Sequence, residues 1–149
     1  MISTAQNLPN IDAFLAQELD GKTILQRFKQ AGDWQARYRE IMLLGKSIPA
    51  LDDSFRVEQA QVRGCESNAW LYHRCIDNKH YFLADSDARI VKGLIALLLA
   101  ATHGKDAQTI AALNIEKYFN DLGLSGQLSP SRTNGLFALA MAIKLAASQ

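Results

Sequence analysis

The spacing of hydrophobic residues predicts a helical first third of the chain. Apolar residues recur at helical intervals over three segments, Ile11–Leu19, Thr23–Gln30 and Trp34–Gly45. Asp33 is a suitable N-cap for the third helix, and Pro49 follows shortly after its predicted end. Residues 1–22 are expected to form a loosely attached N-terminal lead, and residues 23–149 are expected to form the domain itself.

The pattern changes to that of β-strands in the middle of the chain. Three segments either alternate or are rich in β-formers: Arg56–Val62, Ala69–Ile76 and His80–Ala84. Their short links predict an antiparallel meander. Cys65 then lies on the hairpin loop between the first two strands, where Gly64 supplies backbone freedom.

The remainder of the chain is predicted to be helical. The cluster Asp85-Ser86-Asp87 is expected to cap a central, buried helix from Ala88 to about His103. Shorter helices follow over 106–113 and 115–122, and Ser129-Pro130 begins a last helix that runs to about Ala147. Three strands followed by segregated helices predict an α+β fold, a single compact domain with a small antiparallel three-stranded sheet packed against several helices.

Composition excludes several classes of function. The net charge of +1 gives no basic face for nucleic acid. The longest apolar run, Gly93–Thr102, is far shorter than the roughly 20 residues of a membrane span. No signal peptide is indicated at the N-terminus, and two cysteines do not make a disulfide framework. We therefore expect a cytoplasmic protein that binds neither nucleic acid nor membrane.

Cys65, in the segment GCES, is the candidate catalytic residue. Its pattern leaves two interpretations open, an inert side chain tucked against the sheet or a nucleophile. A free thiol has a pKa of about 8.5, so a nucleophile would need a neighbouring cation, and Arg63 and Arg132 are the two candidates. Cys75 is expected to pack within its strand, and a disulfide between the two cysteines is not favoured in a reducing compartment.

No metal or cofactor site is predicted. The cysteines and histidines show no close-set ligand pairs of the zinc-finger type, and the chain lacks the glycine-rich phosphate-binding motifs. A cysteine protease would need a histidine and an orienting group beside Cys65, and the three histidines are scattered along the sequence. His103 is explained by the dipole at the end of its helix, and Asp85 and Asp87 as helix caps.

Four sequence segments together resemble the SufE/CsdE family of sulfur-acceptor proteins. They are WQARYREIMLLGKSIPAL at Trp34–Leu51, VRGCESNAWL at Val62–Leu71, ADSDARIVKGLIALLLA at Ala84–Ala100, and LGLSGQLSPSRTNGL at Leu122–Leu136. The similarity runs from about Leu25 to Lys144. Its most specific elements are GCxS before a tryptophan-containing strand and SPSRxNGL at the start of the last helix.

The resemblance implies a compact α+β fold and a role in sulfur relay. The implied partner is a pyridoxal-phosphate cysteine desulfurase, whose persulfide sulfur would be taken up by Cys65. The acceptor would stimulate the desulfurase and pass the sulfur to iron–sulfur cluster assembly or to another sulfur-transfer protein. It would act as a transfer partner rather than a stand-alone enzyme, with no cofactor or metal of its own, and Cys65 is expected to be partly sheltered.

Several alternatives stay open at this point. Arg132 either braces the scaffold by pairing with Asp85 or Asp87, or it stabilises the Cys65 thiolate or contacts the desulfurase. The protein could be a noncatalytic adaptor that activates a desulfurase without carrying sulfur. An iron–sulfur scaffold would need about three or four cluster ligands, which two cysteines do not supply. The sequence does not distinguish the Suf from the Csd branch.

Overall fold

Ten elements of regular structure follow the predicted order of helix, sheet and helix. The computed structural model describes residues 8–64 and 67–148. Within these residues the helices are α1 (Ile11–Ala16), α2 (Gly21–Gln30), α3 (Trp34–Gly45), α4 (Arg89–Thr102), α5 (Ala107–Ala112), α6 (Ile115–Asp121) and α7 (Pro130–Ala147). The strands are β1 (Ala69–Ile76), β2 (Lys79–Ser86) and β3 (Lys105–Asp106), and two 3-10 turns lie at Asp53–Phe55 and Glu58–Ala60.

Local sequence signals set most of the helix boundaries. The predicted cap Asp33 accepts a hydrogen bond from Ala36 N–H at 2.8 Å, and Ser129 accepts one from Arg132 N–H at 3.2 Å. Pro130 occupies the first turn of α7, where its missing N–H has no consequence. The predicted bounds of α3 and of the end of α7 are confirmed.

The sheet is built on a tight β1–β2 hairpin. Its antiparallel register runs from Ala69 opposite Ser86 to Ile76 opposite Lys79. The two-residue turn at Asp77 and Asn78 has φ angles of 51° and 65°. Two consecutive positive φ angles are typical of the turn that matches the right-handed twist of paired strands.

Helix α4 forms the centre of the main core. Nearly all of its side chains are buried, as its continuous apolar sequence predicts. One face of the sheet contributes Phe82 and Ala84 to this core. Helix α3 lies so close to α4 that a Cβ on Gly93 would overlap the carbonyl oxygen of Ile41. The opposite face of the sheet carries a second, smaller core that contains Phe14 and Tyr72.

The α+β class and the three-stranded antiparallel sheet are confirmed, but the third strand is not the predicted one. The segment Arg56–Val62 contains a 3-10 turn and a single bridge between Gln61 and Trp70. Val57 is 36% exposed, so the alternation in this segment buries no continuous face. The third strand is instead β3, which pairs with the other edge of β2.

The described part of the N-terminal lead is attached firmly. Phe14 is fully buried against the sheet, and the Gln17 amide donates a hydrogen bond to the Phe82 carbonyl at 2.8 Å. Arg74 donates to the Pro9 carbonyl at 3.2 Å and lies 5.5 Å from the Phe14 ring centroid. The expectation of a loose lead is therefore wrong from residue 9 onward, because apolar burial and polar contacts both hold it. The domain boundary at residues 22 and 23 stays a prediction.

Among the residues that the structure describes, no helix is both long enough and apolar enough to cross a membrane.

Candidate functional site

The segment of residues 62–69, here named the Cys65 loop, connects the second 3-10 turn to β1. Cys65 itself, the predicted catalytic residue, lies outside the described residues, as does Glu66. The two ends of the loop are bonded to each other, because Val62 N–H donates to the Ala69 carbonyl at 2.8 Å. The antiparallel bridge between Gln61 and Trp70 adds a second link. The loop thus has a closed base although the predicted strand before it is absent.

Gly64 places the leading end of the loop against helix α7. Its φ is +91°, a value that favours glycine over any residue with a side chain. A Cβ at this position would lie 3.1 Å from the Cβ of Ala138. Backbone conformation and close packing therefore both explain why the residue before Cys65 is a glycine.

A small cavity lies where the trailing end of the loop meets α4 and α7. Its volume is about 90 Å³. Ser67 lines it from the loop, together with Val91, Leu94, Ser129, Ser131, Arg132, Gly135, Leu136 and Leu139. Side chains of α4 and α7 make one part of the wall apolar, and Ser67 together with the first turn of α7 makes the other part polar. A cavity of this volume has room for more than one water-sized group.

Arg132 stands at the polar side of this cavity, in the first turn of α7. The N-terminus of a helix carries partial positive charge, and the guanidinium adds a full positive charge there. Within residues 8–64 and 67–148, Arg132 pairs with no carboxylate. The predicted pairing with Asp85 or Asp87 is wrong, since both carboxylates have other partners.

Arg63, the second candidate cation, lies at the surface. Its guanidinium is 3.8 Å from the Glu58 carboxylate, and the two side chains are 86% and 80% exposed. An ion pair this exposed adds little stability, because water screens both charges.

Asp85 is a buried carboxylate rather than a helix cap. Strand β2 extends through Ser86, and α4 begins at Arg89 without a side-chain cap. The fully buried Asp85 side chain accepts hydrogen bonds from Leu51 N–H at 2.8 Å and from Arg56 at 2.9 Å, and Lys92 Nζ lies 3.3 Å away. Burial alone would raise the pKa of Asp85, but these hydrogen bonds and the Lys92 charge outweigh burial and lower it.

Asn68 lies at the centre of a hydrogen-bond network at the base of the loop. Its side-chain oxygen accepts from the Gln61 amide at 2.7 Å, and its own amide donates to the Asp87 carboxylate at 2.9 Å. Its backbone carbonyl accepts from the Ser86 hydroxyl at 2.6 Å and from Asp87 N–H at 3.3 Å. Asp87 is thus a loop contact and not the predicted helix cap.

Cys75 is exposed near the turn of the hairpin and is a free thiol. The expectation that it packs within its strand is wrong. It lies one residue before the end of β1, directly opposite His80, where its side chain is open to solvent.

Two of the histidines that are scattered in the sequence meet in the fold. His73 Nε2 and His80 Nδ1 are 2.7 Å apart, and their rings stack with an interplanar angle of 15°. Burial and the neighbouring His80 lower the pKa of His73. Within the described ranges, no three histidine, cysteine, aspartate or glutamate side chains stand close enough to hold a metal ion.

His103 has a structural role other than the one predicted. Its Nδ1 accepts a hydrogen bond from Phe82 N–H at 2.9 Å and lies 3.2 Å from the Gln17 amide. Burial lowers the pKa of His103, which favours the neutral ring. A helix dipole would favour the charged ring, so the dipole explanation is wrong.

Comparison with known proteins identifies the family. The family model described as "SufE: Fe-S metabolism associated domain" matches residues 22–147. The chain belongs to the SufE family. It is 40% identical over 129 residues to the sulfur acceptor protein CsdE of Escherichia coli K12, covering 86% of this chain and 88% of that protein.

One further relative agrees with this assignment, and one solved structure shares the fold. An uncharacterised SufE-like protein of Rhizobium etli is 40% identical over 125 residues, covering 81% of this chain and 84% of that protein. The solution structure of a hypothetical protein from Thermus thermophilus superposes with a TM-score of 0.69 at 17% identity, covering 88% of this chain and 96% of the other. At that identity the likeness shows the fold alone.

The sequence interpretation missed the groups that hold the Cys65 loop and the segment before it. Asn68 bonds the loop, whereas Asp85 bonds Leu51 and Arg56 in the preceding segment. The local sequence around each of these residues also suits a turn, a cap or a solvated surface. The one available signal was the grouping of polar residues on both sides of the GCES segment.

Proposed function

We propose that this protein accepts sulfur from a cysteine desulfurase on Cys65. The observation that carries the proposal is the setting of that residue, a loop whose ends are bonded to each other and whose flanks lie against α7. The 40% identical Escherichia coli relative, named a sulfur acceptor protein, supports it. A loop suits such a task, because the cysteine has to reach the reacting sulfur of another protein.

The transfer would follow the course of thiol–disulfide exchange. The Cys65 thiolate attacks the outer sulfur of a persulfide on the desulfurase and forms a new sulfur–sulfur bond. The original sulfur–sulfur bond breaks, and the desulfurase cysteine leaves as a thiolate. One thiolate enters and one leaves, so no external oxidant or reductant is needed. The pyridoxal phosphate belongs to the desulfurase, and this chain needs no cofactor for its step.

In this proposal the residues around the cavity would supply the positive charge that the chemistry requires. A thiolate and a persulfide anion are both stabilised by nearby positive charge. Arg132 and the N-terminus of α7 lie at the polar side of the cavity that Ser67 lines from the loop. Removing the persulfide would free the desulfurase for another turnover, and the sulfur would pass to iron–sulfur cluster assembly or to another sulfur-transfer protein.

Intact-protein mass spectrometry tests the proposal. The protein is mixed with a cysteine desulfurase and free cysteine, and one added sulfur atom is expected, removable by reductant. Cys65→Ser should abolish the added mass, whereas the matched control Cys75→Ser should retain it in full. If Cys65→Ser still stimulates the desulfurase and the wild type gains no mass, the protein is an adaptor that carries no sulfur.

A further inference from the structure

The side-chain amide of Asn68 connects three parts of the molecule. It accepts a hydrogen bond from Gln61, which precedes the Cys65 loop, and donates one to Asp87, at the junction of β2 and α4. Asn68 itself belongs to the trailing end of the loop, three residues after Cys65. One exposed side chain therefore joins the trailing end of the loop to the residue before the loop and to the junction of β2 and α4.

The chemistry of these contacts requires an amide at position 68. Gln61 offers a donor and Asp87 offers an acceptor, and asparagine supplies the complementary group to each. The bond to Asp87 is charge-assisted and therefore among the stronger hydrogen bonds. An aspartate at position 68 would still accept from Gln61 but would face the Asp87 carboxylate with a like charge.

We propose that Asn68 is a positioning residue that holds the Cys65 loop against α7 and so determines how readily the Cys65 thiol reacts. This rests on the proposed role of Cys65 as the sulfur carrier. Gly64 on one side and Ser67 on the other both lie against α7, at Ala138 and at the cavity respectively. The Asn68 bridge fixes the base from which both ends extend. Positioning of a reacting group within a narrow range of geometry is a large part of what a protein contributes to a transfer step.

The rate at which iodoacetamide alkylates Cys65 measures the reactivity of this thiol directly, and no desulfurase is needed. Trypsin separates the two cysteines into the peptides Gly64–Arg74 and Cys75–Lys79, so each rate is read from the same sample. Rates are taken across pH, because the plateau at high pH reports access to the thiolate and the midpoint reports the thiol pKa. Asn68→Ala should raise the plateau rate at Cys65 by about tenfold, as expected for loss of a hydrogen bond to a charged group. The rate at Cys75 should be unchanged.

A charge-swap pair supplies the specific control. Asn68→Asp alone should raise the Cys65 plateau rate as Asn68→Ala does. The double variant Asn68→Asp with Asp87→Asn exchanges donor and acceptor, restores the bond and keeps the net charge, so it should return the rate to within about twofold of the wild type. Asn120→Asp, the same exchange on an exposed position of α6, should have no effect.

The possible outcomes separate this inference from the proposed function. If Asn68→Ala leaves the Cys65 rate within twofold of the wild type, or if the double swap fails to restore it while all variants melt at the same temperature, Asn68 does not position the loop. Either result leaves the mass-spectrometric test of sulfur transfer to Cys65 unaffected. Conversely, if no sulfur is transferred to Cys65, the proposed function fails, but the effect of Asn68 on the alkylation rate still stands.

Discussion

The two ends of the β1–β2 hairpin each have a cysteine within a few sequence positions, and they differ in how the chain is held. At the Ser86 end, the buried Asp85 and the exposed Asn68 bond the sheet to segments that precede and follow it. At the Ile76 end, a two-residue turn and the paired rings of His73 and His80 close the hairpin on itself. The first end is anchored by long-range side-chain hydrogen bonds, whereas the second combines a local turn and a local histidine pair with the backbone pairing of Lys79 and His80 to β3.

This difference bears on which cysteine can serve a partner protein. Cys75 is exposed but belongs to a paired strand, whose backbone hydrogen bonds fix its distance from the sheet. Cys65 belongs by sequence to the Cys65 loop, whose base is closed by the hydrogen bond between Val62 and Ala69. Exposure alone therefore does not favour Cys75 over Cys65 as the proposed sulfur carrier.

The largest expected effect comes from breaking the anchor at the Ser86 end. Asp85→Asn removes the charge that Arg56 and Lys92 share and leaves both cations without their partner. The free energy of unfolding should fall by about 3 kcal/mol, as for the loss of one member of a buried ion pair. Urea unfolding measures it. The exposed Asp52→Asn serves as control and should cost less than about 0.5 kcal/mol; equal effects would show that Asp85 is no anchor.

The loss of stability caused by Asp85→Asn should be smaller in acid. The pKa of Asp85 in the folded protein is lowered from 3.8 because its hydrogen bonds and the Lys92 charge outweigh burial. A lowered carboxyl pKa contributes stability that is complete above the unfolded value and is lost as the pH falls through the folded value. The difference in unfolding free energy between wild type and Asp85→Asn should therefore shrink as the pH falls below about 3.8. A difference that is constant with pH would mean that the charge is not the cause.

The Ile76 end should respond to pH in a different range. Burial and His80 lower the folded pKa of His73 from 6.5, so its neutral form stabilises the fold above that value. This stability should be lost as the pH falls from 6.5 through the lowered folded pKa, where the unfolded chain binds the proton more readily. His73→Phe should cost about 1 kcal/mol near neutral pH through the lost hydrogen bond.

Thermal unfolding at pH values above 6.5 and below the lowered pKa of His73 measures this pH dependence of stability. The wild type should lose stability on acidification, and His73→Phe should lose less. His103 contributes in the same direction, because burial also lowers its pKa. If His73→Phe leaves the change of stability with pH unaltered, the whole pH dependence belongs to His103 or to other groups.

The comparison also explains what the sequence could predict. The bounds of β1 and the start of α7 depend on neighbours a few positions away, and the sequence predicts both. Asp85 receives its hydrogen bonds from Arg56 and Leu51, which lie 29 and 34 positions earlier. A short acidic cluster before a helix has the same pattern whether it caps that helix or binds a distant cation. The Ser86 end was therefore misread, whereas the short antiparallel link between Ala69–Ile76 and His80–Ala84 was predicted correctly.

The smallest expected effect separates the two charged contacts of the Cys65 loop. Arg63 and Glu58 approach to 3.8 Å with both side chains exposed, whereas Asn68 and Asp87 are joined by a 2.9 Å hydrogen bond. Glu58→Gln should change the free energy of unfolding by less than about 0.5 kcal/mol, because solvent screens the pair. It should also leave the alkylation rate of Cys65 within about twofold of the wild type. If Glu58→Gln raised that rate as much as Asn68→Ala, surface charge rather than the Asn68 bridge would hold the loop in place.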